Sequence, residues 1–130
     1  MPWIDLITFL ALVQYLVFGT LVARARSQYG VRAPATTGNE LFERHYRVQM
    51  NTLELLVVFV PALWVAARYW SPEAMAAIGA VYLVGRVLYQ RSYTRAPAQR
   101  ALGFMLSLGP VAVLLAAAGV GAVRALVAVA

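Results

Sequence analysis

The sequence predicts an all-α integral membrane protein, a bundle of four transmembrane helices in a single domain that covers residues 1–130. Of the 130 residues, 62% are hydrophobic and 12% are charged, and the mean hydropathy is +0.72. Soluble domains are about 45–50% apolar and about 25% charged, so this composition excludes a typical soluble enzyme and a disordered tail. The chain has no cysteine, which excludes disulfides, thiolate metal sites and a cysteine nucleophile.

Four segments are long and apolar enough, or nearly so, for the roughly 20 residues that a helix needs to cross a bilayer. The first has Asp5 as the only charge in its apolar part and no basic n-region, so we interpret it as a retained helix rather than a signal peptide. A loop rich in glycine, proline and threonine precedes the second helix, and Pro72 fits the first position of the third. The predicted helices cover residues 3–26, 41–70, 72–94 and 98–127.

Charge placement predicts the orientation. All eleven basic residues are arginine, and the net charge is +6. This excess would favour nucleic-acid binding in a soluble chain, but in a membrane protein basic residues mark the cytoplasmic loops. We therefore expect the 1–2 and 3–4 loops to be cytoplasmic, in a bacterial inner membrane. Nine arginines lie around these two loops, namely Arg24, Arg26, Arg32, Arg44, Arg47, Arg86, Arg91, Arg95 and Arg100.

Some charges lie too deep to be loop anchors. One face of the second helix carries polar residues at i, i+3, i+7 and i+10, which are Arg44, Arg47, Asn51 and Glu54. Glu54 lies about 15 Å beyond Arg44 along the axis, in a zone where an ionisable residue needs a partner or a water-filled cavity. The third helix has one face with Arg86, Tyr89 and Tyr93.

Two interpretations of this cluster remain open. Glu54 can pair internally with Arg47 or with Arg86, or the cluster can bind a ligand. The arginines outnumber Glu54, the only carboxylate at this depth, which favours a small ligand with carboxylate groups. No spacing of carboxylates and histidine predicts a metal site, and we interpret the single His45 as a polar residue at a helix end.

Three runs of sequence resemble the MAPEG family, the membrane-associated proteins in eicosanoid and glutathione metabolism. They are FERHYRVQMNTLE from Phe42, GRVLYQRSYTR from Gly85 and GFMLSLG from Gly103. The likeness covers about residues 21–115 and is closest to the branch of microsomal glutathione transferases type 2 and 3 and leukotriene C4 synthase. It implies a four-helix protomer in a homotrimer, with glutathione bound between adjacent protomers near the cytoplasmic side.

The resemblance also implies the site residues. Arg100 matches the arginine that stabilises the glutathione thiolate, and it is the one catalytic residue expected. The glutathione-binding positions of the family match Arg26, Arg47, Gln49, Asn51, Glu54, Arg86, Tyr89 and Tyr93. The chain departs from the family at Leu55, where relatives carry an aromatic residue, and at Ser27, where the leukotriene enzyme has a second arginine.

The resemblance therefore implies a membrane-bound transferase that joins the glutathione thiolate to lipophilic electrophiles arriving from the bilayer, with peroxidase activity on lipid hydroperoxides as a further expectation. No metal is required. One alternative is a non-catalytic scaffold of the same family that binds lipid or glutathione. Another is a small four-helix multidrug transporter, but that class places its membrane glutamate in the first helix and binds cations, whereas Glu54 lies in the second helix among arginines.

Overall fold

The computed structural model describes all 130 residues as four long α-helices without a β-strand. The ends of the helices lie within three residues of those predicted from the sequence. A short 3₁₀ turn, Pro97–Gln99, precedes the fourth helix, which therefore starts later than predicted. Arg100 occupies its N-cap position but makes no capping hydrogen bond with its side chain. The helices are α1 Pro2–Tyr29, α2 Glu40–Tyr69, α3 Pro72–Arg95 and α4 Ala101–Val129.

Local sequence signals explain most of the helix ends. α1 stops at Gly30, which has a φ of 69° and so adopts the left-handed conformation that glycine tolerates best. The side chain of Asn39 caps α2 by accepting a hydrogen bond from the Phe42 amide at 3.0 Å. Ser71 caps α3 by accepting from the Ala74 amide at 3.3 Å, and Pro72 stands at the first helical position as expected.

Three helices, α1, α2 and α4, are long and apolar enough to cross a membrane. α3 falls below that hydropathy because its last turns carry arginines, although its 24 residues span about 36 Å at 1.5 Å each. Arg86 of α3 is fully buried inside the bundle. Large apolar side chains such as Leu16, Leu102 and Leu126 are instead exposed on the outer surface, which is the pattern of an integral membrane protein.

The apolar core occupies one half of the bundle, the half with the chain termini and the α2–α3 turn. It is built from the first turns of α1 and α3 and the later turns of α2 and α4. At its centre Phe59 and Tyr82 stack with ring centroids 3.9 Å apart. Polar and aromatic side chains fill the other half, towards the α1–α2 loop and the α3–α4 connection, and this is where the predicted site residues lie.

Candidate functional site

The polar half of the bundle contains an open groove of about 750 Å³. Residues of α2 and α3 form one wall, and the α3–α4 connection and the first turns of α4 form the other. Five of the nine site residues predicted from the sequence line it together. The full lining is Arg47, Asn51, Tyr89, Tyr93, Ala98, Arg100, Ala101, Phe104 and Met105.

The α2 wall holds an outward-facing ion pair. Arg47 Nη1 donates to Glu54 Oε1 at 3.1 Å, so the internal pairing considered from the sequence is present between these two residues. The side chains are 51% and 57% exposed, however, and they face away from the bundle interior. Glu54 therefore lies halfway along α2 on the outer surface, beside exposed apolar residues such as Leu53 and Val57.

The α3 wall is aromatic. The rings of Tyr89 and Tyr93, one helical turn apart, stack with centroids 5.4 Å apart. Tyr89 is almost fully buried and also contacts Phe104 of α4, with centroids at 6.2 Å. Phe18 of α1 and Val48 of α2 pack behind it, so the aromatic wall is held by all four helices.

Arg86 is buried behind the groove and does not line it. Its Nε donates to Ser107 Oγ at 2.8 Å, and its Nη1 donates to Asn51 Oδ1 at 2.8 Å and to Thr52 Oγ1 at 3.1 Å. The guanidinium carbon lies 4.4 Å from the centroid of the Tyr89 ring. Within one chain, Arg86 thus contacts two residues of the groove from behind. Its Nη2 has no hydrogen-bond partner in the chain, and whether Arg86 contacts a ligand stays a prediction.

Two glycines bring α3 and α4 close enough for these contacts. A Cβ on Gly85 would lie 2.6 Å from the carbonyl oxygen of Leu106, and a Cβ on Gly103 would overlap the backbone of Tyr89. Glycine at both positions lets the two backbones touch. Ser107 can then reach Arg86, and Tyr89 can reach the groove.

Arg100 lies where α4 begins. It is exposed, its Nη1 donates to the Pro97 carbonyl at 3.0 Å, and no carboxylate pairs with it. No side chain caps this end of α4, so the free amides of the first turn add a partial positive charge. Arg100 and the helix end together give this side of the groove a positive charge, which favours an anion.

Of the four predicted residues that do not line the groove, two lie on another side of the bundle. Arg26 donates to the Ala35 carbonyl at 2.6 Å, stacks over Phe42 and lines a separate cavity at the end of α1. Gln49 packs against α1, where a Cβ on Gly19 would lie 2.9 Å from its Nε2. Both therefore belong to the α1–α2 side of the bundle, and whether they contact a ligand stays a prediction.

Sequence reasoning missed two supporting residues and the contacts of a third. Thr52 and Ser107 accept hydrogen bonds from Arg86, and Arg44 donates to the carbonyls of Thr94 and Arg95 at 3.3 and 3.1 Å, which ties α2 to the end of α3. Serine and threonine in apolar helices are only weak indicators of a buried hydrogen-bond network. No local sequence pattern reveals that Arg44 binds carbonyls about 50 residues away. The chain contains no group of three metal-ligating side chains.

Sequence comparisons find relatives of the chain over most of its length. The sequence model of the MAPEG family matches residues 4–120. The chain is 54% identical over 104 residues to an uncharacterized protein of Synechocystis sp., a match that covers 80% of this chain and 76% of that protein. It is 39% identical over 108 residues to human microsomal glutathione S-transferase 2, with 83% and 74% of the two chains covered.

A further relative is bovine leukotriene C4 synthase, which is 36% identical over 115 residues, a match that covers 88% of this chain and 77% of the synthase. The family match spans most of the four-helix bundle, including every residue that lines the groove. The chain belongs to the MAPEG family.

Proposed function

We propose that the protein is a membrane-bound glutathione transferase that joins the glutathione thiolate to lipophilic electrophiles. The observation that carries the proposal is the groove, which gathers Arg47, Asn51, Tyr89, Tyr93 and Arg100 at one place. Relatives named microsomal glutathione S-transferase 2 and leukotriene C4 synthase support the same class of chemistry.

The charges of the groove suit glutathione. This tripeptide has two carboxylates, one ammonium group, amides and a thiol. Arginines bind carboxylates through charge-assisted hydrogen bonds, and a carboxylate binds an ammonium group. Arg47 and Glu54 offer one of each, while Arg100 adds a positive charge that no residue of the chain neutralises.

The reactive step needs an ionised sulfur. A thiol with a pKa of about 8.5 is mostly protonated at neutral pH, and only the thiolate attacks. Arg100 and the uncapped start of α4 stabilise the anion, so the thiol proton leaves to bulk water. The sulfur then forms a bond to the electrophilic carbon, and the leaving group departs with its electron pair. No residue of the chain acts as nucleophile.

The electrophile reaches the sulfur from the bilayer. Phe104 and Met105 line the groove next to Arg100, and Met105 is 61% exposed on the outer surface of α4. A lipid hydroperoxide arriving by this route extends the activity to peroxidase chemistry. The thiolate attacks the terminal peroxide oxygen and breaks the O–O bond, and the released alkoxide takes a proton from water to become an alcohol. A second glutathione then converts the sulfenic acid to a disulfide and water.

A second copy of the chain completes the site in this proposal. The Arg47–Glu54 pair is half exposed on the outside of α2, where each charge facing lipid costs about 2.5–3.5 kcal/mol. Arg26 and Gln49 lie on the α1–α2 side, outside the groove of their own chain. A homotrimer that packs this side against the groove of a neighbour covers the ion pair and adds both residues to the site.

Turnover of the purified protein tests the proposal. With glutathione and 1-chloro-2,4-dinitrobenzene we expect conjugation, and Arg100→Ala should lower kcat about 100-fold, the usual effect of removing one anion-stabilising donor. Arg91→Ala is the matched control, because Arg91 is an exposed arginine on α3 that does not line the groove. Full activity of Arg100→Ala contradicts its catalytic role. Glutathione binding without turnover in the wild type favours the non-catalytic scaffold.

A further inference from the structure

The hydrogen bonds around Arg86 have a fixed direction. A guanidinium carries only donors, so every partner of Arg86 must accept from it. The hydroxyl groups of Ser107 and Thr52 each donate to a carbonyl of their own helix, those of Gly103 and Val48, at 2.7 Å. Their oxygens are therefore left to accept from Arg86, at 2.8 and 3.1 Å.

The same rule fixes the side-chain amide of Asn51. Arg86 Nη1 lies 2.8 Å from Oδ1 of Asn51, and the reverse orientation would place two donors against each other. Nδ2 is then left for the groove, which Asn51 lines. This nitrogen has no hydrogen-bond partner in the chain, and it is accessible from outside rather than enclosed. The side chain thus offers its N–H donors to a ligand, while its oxygen faces Arg86.

We propose that Ser107 and Thr52 are positioning residues, which hold Arg86 so that Arg86 presents the Asn51 amide to the groove as a donor. The inference rests on the proposed function and specifies the ligand atom that Asn51 binds: an acceptor oxygen, either a peptide carbonyl or a carboxylate. Arg86 acts on the ligand through Asn51 and through the Tyr89 ring beneath its guanidinium.

Burial makes the arrangement rigid. Arg86, Ser107 and Thr52 have no exposed surface, and Asn51 is 8% exposed. A buried donor that loses its partner costs more than the hydrogen bond itself contributes. The amide of Asn51 cannot rotate without leaving Arg86 Nη1 with Thr52 alone. The polarity of this part of the groove is therefore fixed before a ligand arrives.

Asn51→Asp tests the polarity directly. Aspartate has the same size and still accepts from Arg86, but it donates nothing and repels an acceptor oxygen. Isothermal titration of the purified protein with glutathione should show affinity about 10- to 100-fold below that of the wild type, at an unchanged or raised Tm. Affinity equal to that of the wild type would overturn the proposed polarity, because a purely structural Asn51 tolerates this change.

Ser107→Ala and Thr52→Val test the positioning role by a second route. Each should raise the KM for glutathione about fivefold, with kcat nearly unchanged because Arg100 is intact. Thr52→Ser keeps the hydroxyl and should restore the wild-type KM. Ser92→Ala on α3 is the control for Ser107, since the Ser92 side chain makes no hydrogen bond in the chain and does not line the groove.

The outcomes separate this inference from the proposed function. A wild type that does not bind glutathione overturns both. A wild type that binds it, with Ser107→Ala and Thr52→Val indistinguishable from Ser92→Ala, overturns only the positioning role. A fall in kcat at an unchanged KM also overturns it, because that result places the loss in the transition state and not in glutathione binding.

Discussion

Asn51 and Glu54, one turn apart on α2, offer opposite chemistry. Asn51 offers donors from a buried position in the groove wall, whereas Glu54, which does not line the groove, offers acceptors from an exposed position. A zwitterionic peptide has both an acceptor-rich and a donor-rich end, so we expect the two residues together to set the direction in which glutathione lies. Arg47 is bonded to Glu54 at 3.1 Å, and a ligand ammonium competes with it for the same carboxylate.

Glu54→Gln tests the acceptor at the residue scale. We expect glutathione affinity to fall about 10- to 100-fold, the size of a lost charge-assisted hydrogen bond, while the trimer persists. Titration calorimetry and native mass spectrometry measure the two quantities on the same sample. Glu73→Gln, at the far end of the bundle, is the control and should leave both unchanged. Loss of the trimer with Glu54→Gln would instead assign Glu54 a purely structural role.

At this scale the sequence indicated the residues that line the groove better than the buried residues that pack behind them. The helical spacing of α2 and α3, and the resemblance of their motifs, indicated Arg47, Asn51, Tyr89 and Tyr93 correctly as neighbours. The same spacing placed Arg86 on the face of the groove, whereas in the structure Arg86 is buried behind it. A helical period indicates on which face a side chain lies but not how deeply it is buried. Its burial depends on Ser107, which approaches only through helix packing.

At the scale of the helices, the α3–α4 contact sets the geometry of the site. Gly85 and Gly103 allow the two backbones to touch, so any side chain at either position must push the helices apart. Small residues at such contacts are the usual means by which membrane helices pack closely. The shape of the groove therefore depends on two positions that do not line it.

Gly103→Ala should lower the Tm and the conjugation activity together. Forcing a methyl group into a filled contact costs about 1–3 kcal/mol, and the displaced helix carries Arg100 with it. Gly119→Ala is the matched control on α4, because a Cβ there meets no atom within 4 Å, and alanine is the better helix former. Thermal unfolding and turnover measure both variants. Equal Tm values for the two would contradict the packing argument.

The helix ends show what local sequence does and does not determine. Asn39, Ser71 and Pro72 mark the starts of α2 and α3, as capping rules predict. The start of α4 lacks such a signal: a 3₁₀ turn takes up Pro97–Gln99, and Arg44 of α2 binds the carbonyls that end α3. Because the partner of those carbonyls comes from another helix, the sequence around Arg100 does not reveal it.

Over the whole molecule, polarity is divided along the bundle axis. The half with the chain termini has an apolar core, and the half with the two arginine-rich loops holds the groove. Composition alone predicted the four-helix membrane fold, because apolar length determines which segments cross the bilayer. The trimer and the orientation depend on a second chain and on the membrane, so they remain proposals from the exposed Arg47–Glu54 pair and from arginine placement.

The absence of cysteine makes the orientation easy to measure. Thr37→Cys, in the exposed α1–α2 loop, and Ala130→Cys, at the chain end, each introduce the only thiol. In spheroplasts, a membrane-impermeant maleimide should label Ala130→Cys at once and Thr37→Cys only after permeabilisation, because the positive-inside rule places the arginine-rich loops in the cytoplasm. Immediate labelling of Thr37→Cys, with Ala130→Cys labelled only after permeabilisation, would show the opposite orientation.

We propose that the groove binds glutathione and ionises its thiol next to Arg100. The ultraviolet absorbance of the thiolate, recorded as a difference spectrum when glutathione is added at neutral pH, measures this step without any electrophile. We expect a thiolate signal that saturates with glutathione in the wild type and is lost in Arg100→Ala, which still binds the peptide. Saturable binding with no thiolate signal in the wild type, or an equal signal in Arg100→Ala, would overturn this role of the groove.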